Sequence, residues 1–183
     1  MIAKKVKSSG GGSKGGKISR LADYITDEQK DKDKHIDKDK NKIDYYGGRG
    51  FLCDDLNSRK AEMTALASDA PKCTNPITHW VMSWQEHERP TRDQLEESID
   101  ILLEELGMTD HQAIYAAHQD TENYHVHVMI NRVHPDTLKA PNNFRDVELA
   151  HKAVARIQHL QGWQPEQRSR YEVIEGQTQR VKH

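Results

Sequence analysis

The chain has 183 residues, of which 34% are hydrophobic and 31% charged, and its formal net charge is −2. This length allows one domain with a hydrophobic core. No apolar run approaches the roughly 18 residues that a membrane span needs, so we expect no membrane insertion. The basic N-terminus lacks the apolar segment of a secretory signal. Cys53 and Cys73 are far apart and outside any metal-ligand spacing, which predicts free thiols in a reducing compartment.

The N-terminal region is basic and rich in glycine. Residues 1–20 contain six Lys or Arg residues and no Asp or Glu, and Ser8–Gly16 has the composition of a flexible loop. This pattern predicts an arm, residues 1–16, that contacts a phosphate backbone. A merely solvated tail is an equally good interpretation of the arm taken alone. The lysines predicted to contact DNA are Lys4, Lys5, Lys7, Lys14 and Lys17.

Strands and helices are predicted in the following chain order. The predicted strands are Met1–Val6, Ile77–Trp84, Gln112–Gln119 and Tyr124–Asn131. The predicted helices are one that begins at Ile18, Ser58–Ala70, Thr91–Gly107 and a last one over about 143–160. Between the first helix and the second, residues 27–44 are almost all charged and predict a solvated or mobile insert. Asp44–Gly50 has turn composition.

Two of these helices have informative local signals. Thr91 and Gln94 form a possible capping box at the start of the third helix, and Gly107 fits its end. In the first helix an apolar stripe predicts the buried face, and Tyr24 lies on the flank of that stripe. The residues of the stripe are Ile18, Leu21, Ala22 and Ile25.

The order of the elements after residue 76 predicts an α+β fold. In this fold an antiparallel, palm-like sheet is covered by helices on one face. The domain is expected to span residues 17–163, followed by a polar tail over 164–183. The other face of the sheet must then be at least partly open.

Three histidines lie within ten residues, at His118, His125 and His127. Side chains alternate along a strand, so His125 and His127 share one face. The polar segment Asp120–Asn123 predicts a turn that brings His118 opposite this pair. Three neutral imidazoles would then converge on a divalent-metal site with open positions for a substrate. The alternative is a polar strand face exposed to solvent.

Other residues extend this chemistry. Asp120 and Asn131 flank the histidines and are predicted to accept hydrogen bonds from ligand rings. The chain offers no Walker loop, no CxxC pair and no Ser-His-Asp arrangement near the histidines. A tyrosine hydroxyl can attack phosphorus and form a covalent intermediate. By residue type alone Tyr24 is one of six tyrosines, and a packing role is the alternative.

Three segments resemble the motifs of conjugative relaxases, the HUH-type DNA-nicking enzymes of the MOB-P class. His118–Asn131, with the pattern HxDTxNxHxHxxxN, is similar to their third motif. Leu21–Glu28 resembles the first motif, which carries the nucleophilic tyrosine. His79–Trp84, followed by Glu88–Pro90, resembles the second. The tyrosine precedes the histidines, as in relaxases, whereas in replication initiators it follows them.

The resemblance implies a nucleophile and a metal. Tyr24 is the implied nucleophile, and the three histidines are the implied ligands of one divalent ion, Mg²⁺ or Mn²⁺, with Zn²⁺ as a further candidate. In some accounts of the family the residue matching His118 is instead the proton acceptor for the tyrosine. The charged insert departs from the expected pattern and leaves Tyr45 and Tyr46 as rival nucleophiles.

Further roles carry over residue by residue. Asp120 matches a position that orients a histidine, and Ser83 matches a residue that holds DNA near the nick. Glu88 is implied in a polar supporting role beside the ligands. Trp80 and Trp84 are either base-stacking platforms or core residues, and the core is the favoured interpretation.

The resemblance implies a metal-dependent DNA transesterase that nicks one strand at a transfer origin. The products would be a 5′-phosphotyrosyl link and a free 3′ hydroxyl. Implied partners are single-stranded or locally melted origin DNA, relaxosome accessory proteins and a type IV secretion coupling protein. The implied location is the bacterial cytoplasm, with passage to the recipient attached to DNA. The alternatives are a non-catalytic or rolling-circle-type replication-initiator DNA-binding module and a three-histidine hydrolase of small molecules.

Overall fold

The computed structural model describes residues 1–7, 11–26 and 42–182. Its centre is a five-stranded antiparallel sheet with the strand order β1-β3-β5-β4-β2. The strands are β1 (Ile2–Val6), β2 (Ile43–Arg49), β3 (Ile77–Ser83), β4 (Ala113–His118) and β5 (His125–Asn131). The helices are α1 (Lys14–Thr26), α2 (Leu56–Ser68), α3 (Arg92–Glu105) and α4 (Asp146–Gln161). A separate hairpin is formed by β6 (Tyr171–Ile174) and β7 (Gln177–Arg180).

One face of the sheet packs against α3 and α4. Trp80 and Trp84 are each 1% exposed on this side and belong to its core, which confirms the favoured interpretation of both. The predicted capping box of α3 is present: Thr91 Oγ1 accepts from the Gln94 amide, and the Gln94 side chain accepts from the Thr91 amide. Both reciprocal bonds satisfy backbone amides at the start of α3 that have no partner within the helix.

The predicted α+β fold with an antiparallel sheet is confirmed. It differs in one detail: α1 and α2 pack against the opposite face, so helices lie on both faces and not on one. The apolar stripe of α1 meets apolar side chains on this face, including Ile114, Ala116 and Met129. The prediction of an open face depended only on the polar residues of this face, among which the histidines lie. The apolar remainder needs cover, and α1 and α2 supply it.

The predicted N-terminal arm is also corrected. Ile2–Val6 forms an edge strand paired with β3, which confirms the predicted short strand, and residues 14–16 belong to α1. Ser13 Oγ accepts from the Gly16 amide at the start of that helix. The predicted loop Ser8–Gly16 therefore ends earlier, because α1 begins at Lys14, and residues 8–10 lie outside the described part of the chain.

The predicted turn at 44–50 is instead most of strand β2. A Cβ atom at Gly47 would lie 2.7 Å from the Tyr115 hydroxyl oxygen, so glycine is required by close packing and not by a turn. Residues 43 and 44, predicted to be in the charged insert, begin this strand, while 27–41 lie outside the described residues. The polar tail, for which no strand or helix was predicted, contains the β6–β7 hairpin.

Candidate active site

The three predicted histidines converge where β4 and β5 meet their connecting turn. His118 and His125 are directly paired in the strand register, and His127 follows two residues later on the same face. The ring centroid of His118 lies 5.2 Å from that of His125 and 4.5 Å from that of His127. One nitrogen from each ring falls within 4.8 Å of the other two. This spacing suits three ligands around one cation.

Two of the rings are held by backbone carbonyls. His118 Nε2 lies 2.6 Å from the carbonyl oxygen of Ile25 on α1. His125 Nδ1 lies 3.0 Å from the carbonyl oxygen of Asn123 in the turn. A carbonyl can only accept, so these nitrogens carry the protons and the other nitrogen of each neutral ring keeps its lone pair. Such an arrangement is typical of metal-ligating histidines.

The third ring is held by a fourth histidine that the sequence analysis assigned no role. His79 Nε2 on β3 lies 2.9 Å from His127 Nδ1, and both side chains are buried. His79 stood within the second motif, so its position was visible in the sequence. Its pairing with His127 depends on the register between β3 and β5, which the sequence alone does not give.

Burial favours the neutral form of three histidines in and beside the cluster. It lowers the pKa of His118, lowers that of His127 to about 3 and lowers that of His79 to about 4. Repulsion from the neighbouring histidines adds to the shift at His127. A neutral imidazole is the form that binds metal. The donor set, its spacing and its protonation state therefore fit a divalent cation.

Tyr24 lies against this cluster. Its ring meets that of His127 edge-on at 5.9 Å between centroids, and its side chain is 55% exposed. The next residue, Ile25, supplies the carbonyl that holds His118, so α1 positions the tyrosine and one histidine together. The ammonium of Lys42 lies 5.8 Å from the centre of the Tyr24 ring and adds positive charge there.

The two rival tyrosines are placed differently. Tyr45 points to the opposite face of the sheet, where its hydroxyl donates to Glu96 at 2.6 Å. Tyr46 is paired with Ala116, which is in turn paired with His127, so Tyr46 faces the histidine side two strands away. The structure therefore removes Tyr45 from the site and leaves Tyr46 as an exposed neighbour.

A groove of about 450 Å³ opens beside Tyr24. Its cationic residues are Lys7, Lys17 and Arg20, of which Arg20 was counted in the basic region but not singled out. The remaining lining residues are Val6, Leu21, Tyr24, Asn75, Ile77, His79 and His127. Three positive side chains thus share one cleft with the tyrosine and a candidate ligand.

Two of the predicted DNA-contacting lysines are engaged within the protein. Lys5 pairs with Asp146 on α4 and projects to the α3–α4 side of the sheet. Lys14 donates to the carbonyl oxygens of Ala67 and Ala70 at the end of α2, at 2.8 and 2.7 Å. These side chains complete internal contacts, and their contact with DNA stays a prediction.

Glu88 does not support the histidines. Its carboxylate accepts from the backbone amides of Gln85 and Gln164, both at 3.1 Å, and lies 3.8 Å from the Met1 amine. These contacts link the end of β3 to the segment after α4. The implied role for Glu88 is wrong, because its oxygens are used in this clamp.

Asn131 is also structural. It lies on the histidine face but at the other end of β5, where Nδ2 donates to the Met63 carbonyl and the Gln112 side chain. Its Oδ1 accepts from the Val133 amide at 3.0 Å. The predicted bond to a ligand ring is wrong, because these partners fix the turn after β5.

Three further predicted residues lie on or near the open end of the site. Ser83 is paired with His125 in the strand register and so shares its face. Asp120 is exposed in the turn, and its negative charge opposes the lowering of the pKa of His118. Lys4 is exposed on the edge strand. Their roles in catalysis or DNA contact stay predictions.

Comparison with known proteins identifies the family. The model of the family described as "Relaxase: MobA/VirD2-like, nuclease domain" matches residues 24–163. The chain belongs to this relaxase family. Among the described residues, no helix of this relaxase domain has the length and apolar character to cross a membrane.

Individual relatives are much longer than this chain. It is 53% identical to Protein MobA of Acidithiobacillus ferrooxidans over 115 residues, which cover 62% of this chain and 28% of that protein. A Protein TraI of Escherichia coli is 28% identical over 144 residues, which cover 76% of this chain and 18% of that protein.

A solved chain from "Molecular Basis of Vancomycin Resistance Transfer in Staphylococcus aureus" aligns with a TM-score of 0.45 and 13% identity, covering 68% of this chain and 74% of that one.

Proposed function

We propose that this relaxase domain nicks one DNA strand at a transfer origin by tyrosine transesterification. The observation that supports this most is the contact of Tyr24 with the three-histidine cluster at the wall of a cationic groove. A nucleophile, a charge-stabilising site and a phosphate-binding surface then lie within one cleft. Together these parts favour displacement of an oxygen from phosphorus.

The reaction exchanges one phosphate ester for another. The Tyr24 hydroxyl oxygen bonds to the scissile phosphorus and loses its proton to a base, while the bond from phosphorus to the 3′ oxygen breaks and that oxygen gains a proton. The products are a 5′-phosphotyrosyl link and a free 3′ hydroxyl. Because the number of ester bonds is unchanged, the reverse reaction can reseal the strand.

The histidines supply the metal site in this proposal. A divalent ion bound there would polarise a phosphoryl oxygen and offset the charge that builds on phosphorus. We propose Mg²⁺ or Mn²⁺, with Zn²⁺ as the alternative that imidazole ligands favour. The bond from His118 Nε2 to the Ile25 carbonyl leaves the lone pair on Nδ1. That lone pair could bind a cation or accept the proton of the tyrosine, and we propose the ligand role.

The substrate is proposed to be single-stranded or locally melted DNA. Lys7, Lys17 and Arg20 would contact phosphates along the groove without reading sequence. Ser83 would hold the strand near the nick, and Asp120 would help to orient His118. Accessory proteins of a relaxosome, a type IV secretion coupling protein and a cytoplasmic location complete the proposal.

Covalent adduct formation tests the proposal. The protein would be incubated with Mn²⁺ and single-stranded oligonucleotides that tile the host element, and denaturing gels would be examined for a shifted protein–DNA species. We expect the adduct with wild type, its loss with a chelator and its loss in Tyr24→Phe. A wild-type protein that binds the DNA but forms no adduct would favour the non-catalytic DNA-binding module.

Tyr46→Phe is a matched control. Tyr46 is 50% exposed, close to the 55% of Tyr24, and it faces the same side of the sheet. Each substitution removes only a hydroxyl group. Loss of the adduct in Tyr46→Phe and its retention in Tyr24→Phe would move the nucleophile to β2.

A further inference from the structure

A fourth histidine adjoins the proposed metal site without belonging to the ligand set. His79 lies on β3, where it is paired with Met129, and it reaches His127 diagonally across the β3–β5 pair. The distance from His79 Nε2 to His127 Nδ1 is 2.9 Å. The two rings are tilted by 31° with their centroids 5.2 Å apart. Both side chains are buried, so water competes little for this bond.

The tautomers follow from the ligand role of His127. A neutral imidazole has one N–H donor and one acceptor nitrogen. If His127 Nε2 keeps its lone pair for a cation, its Nδ1 carries the proton and donates it to His79 Nε2. His79 must then accept at Nε2 and carry its own proton at Nδ1.

We infer that His79 is a positioning residue that accepts the hydrogen bond from His127 Nδ1 and thereby holds His127 in the tautomer and orientation that bind metal. This inference rests on the proposed metal site. His118 and His125 obtain the same support from backbone carbonyls, whereas His127 depends on a side chain. His127 is therefore the ligand whose orientation can be disturbed by substituting the side chain of another residue.

Two variants separate the hydrogen bond from packing. His79→Phe keeps a buried ring but cannot accept a hydrogen bond, and His79→Gln offers a carbonyl oxygen that can. Isothermal titration with Mn²⁺ should show affinity weakened by about 10–100-fold in His79→Phe, with much of the loss recovered in His79→Gln. His159→Ala, which removes an exposed histidine at the end of α4, should bind Mn²⁺ like wild type.

Wild-type affinity in a folded His79→Phe protein would overturn the inference. If that variant does not fold, the ¹⁵N spectrum of the wild-type imidazoles decides. A proton on Nδ1 of His127 supports the inference, and a proton on Nε2 contradicts it.

Failure of this inference and failure of the proposed function would give different results. His79→Phe should still form the DNA adduct when Mn²⁺ is saturating, because the nucleophile and the three ligands remain. A wild-type protein that binds Mn²⁺ but forms no adduct contradicts the nicking activity and leaves the role of His79 intact. Loss of the adduct in folded His79→Phe at saturating Mn²⁺ would contradict a role confined to positioning His127.

Discussion

The two faces of the central sheet are built from alternate residues of the same strands, yet they are covered differently. On the α3–α4 face, Trp80, Tyr115 and Val128 are at most 1% exposed. On the histidine face, α1 and α2 cover the apolar side chains, and Tyr24 of α1 stays more than half exposed beside the cluster. One face therefore supplies stability and the other keeps a polar opening. Substitutions should separate the two properties.

The largest expected effect is on the histidine face. His125→Ala removes a ligand at the exposed end of the cluster and makes no cavity in either core. We expect Mn²⁺ binding by titration calorimetry and adduct formation to fall below detection, while the melting temperature of the metal-free protein stays near that of wild type. Unchanged Mn²⁺ affinity would remove His125 from the ligand set.

The α3–α4 face should give the opposite result. Leu102 is fully buried in its core, so Leu102→Ala should cost about 2–5 kcal/mol in the free energy of unfolding. Denaturant titration measures this loss. At a temperature where the variant is folded, its Mn²⁺ affinity should match that of wild type. A metal affinity that fell with the stability would show that the two faces are coupled.

A smaller effect is expected from Glu96, which links three side chains on this face. It accepts from the hydroxyls of Tyr45 and Tyr115 and pairs with Arg49. Burial alone would raise the pKa of Glu96, but these partners outweigh it and lower the pKa below 4.5. A lowered pKa contributes stability above about pH 4.5 that is lost as the pH falls through the folded-state value.

Glu96→Gln tests this pH dependence. Wild type should be more stable than the variant at neutral pH, and the difference should shrink as the pH falls below about 4.5. Urea titrations at several pH values provide the measurement. A difference that stayed constant down to pH 3 would show that the charge of Glu96 is not involved.

The smallest effects are expected in the groove. Lys7→Gln and Arg20→Gln should each weaken binding of single-stranded DNA and reduce the slope of log affinity against log salt by about 0.7. Fluorescence anisotropy at several salt concentrations measures both quantities. Lys5→Gln is the matched control, because Lys5 is near Lys7 in sequence but projects to the other face. An equal change in slope for Lys5→Gln would show that binding depends on total charge and not on the groove.

Local sequence patterns predicted the three-histidine cluster well. Alternation along β5 and a polar turn were enough to bring His118, His125 and His127 together, because all three lie within one hairpin. The capping box of α3 was predicted for the same reason, since its signals are three residues apart. The position of Tyr24 came from the family resemblance, and its contact with His127 agrees with that resemblance.

Features that depend on long-range packing were missed. The partnership of His79 with His127 needs the β3–β5 register, and the engagement of Lys14 needs the end of α2 beside it. Strand β2 was predicted to be a turn from the glycine-rich composition of Asp44–Gly50. Gly47 is instead required by the ring of Tyr115 on the neighbouring strand. The cover of α1 and α2 over the histidine face depends on the same kind of distant contact.

The most direct test of the account is to locate the residue that becomes linked to DNA. Wild-type protein would react with an origin oligonucleotide in the presence of Mn²⁺, the adduct would be digested with protease and nuclease, and the nucleotide-bearing peptide would be sequenced by mass spectrometry. The account predicts a phosphodiester on the hydroxyl of Tyr24, at the histidine face. A nucleotide on Tyr46, on any other residue, or on none would contradict it.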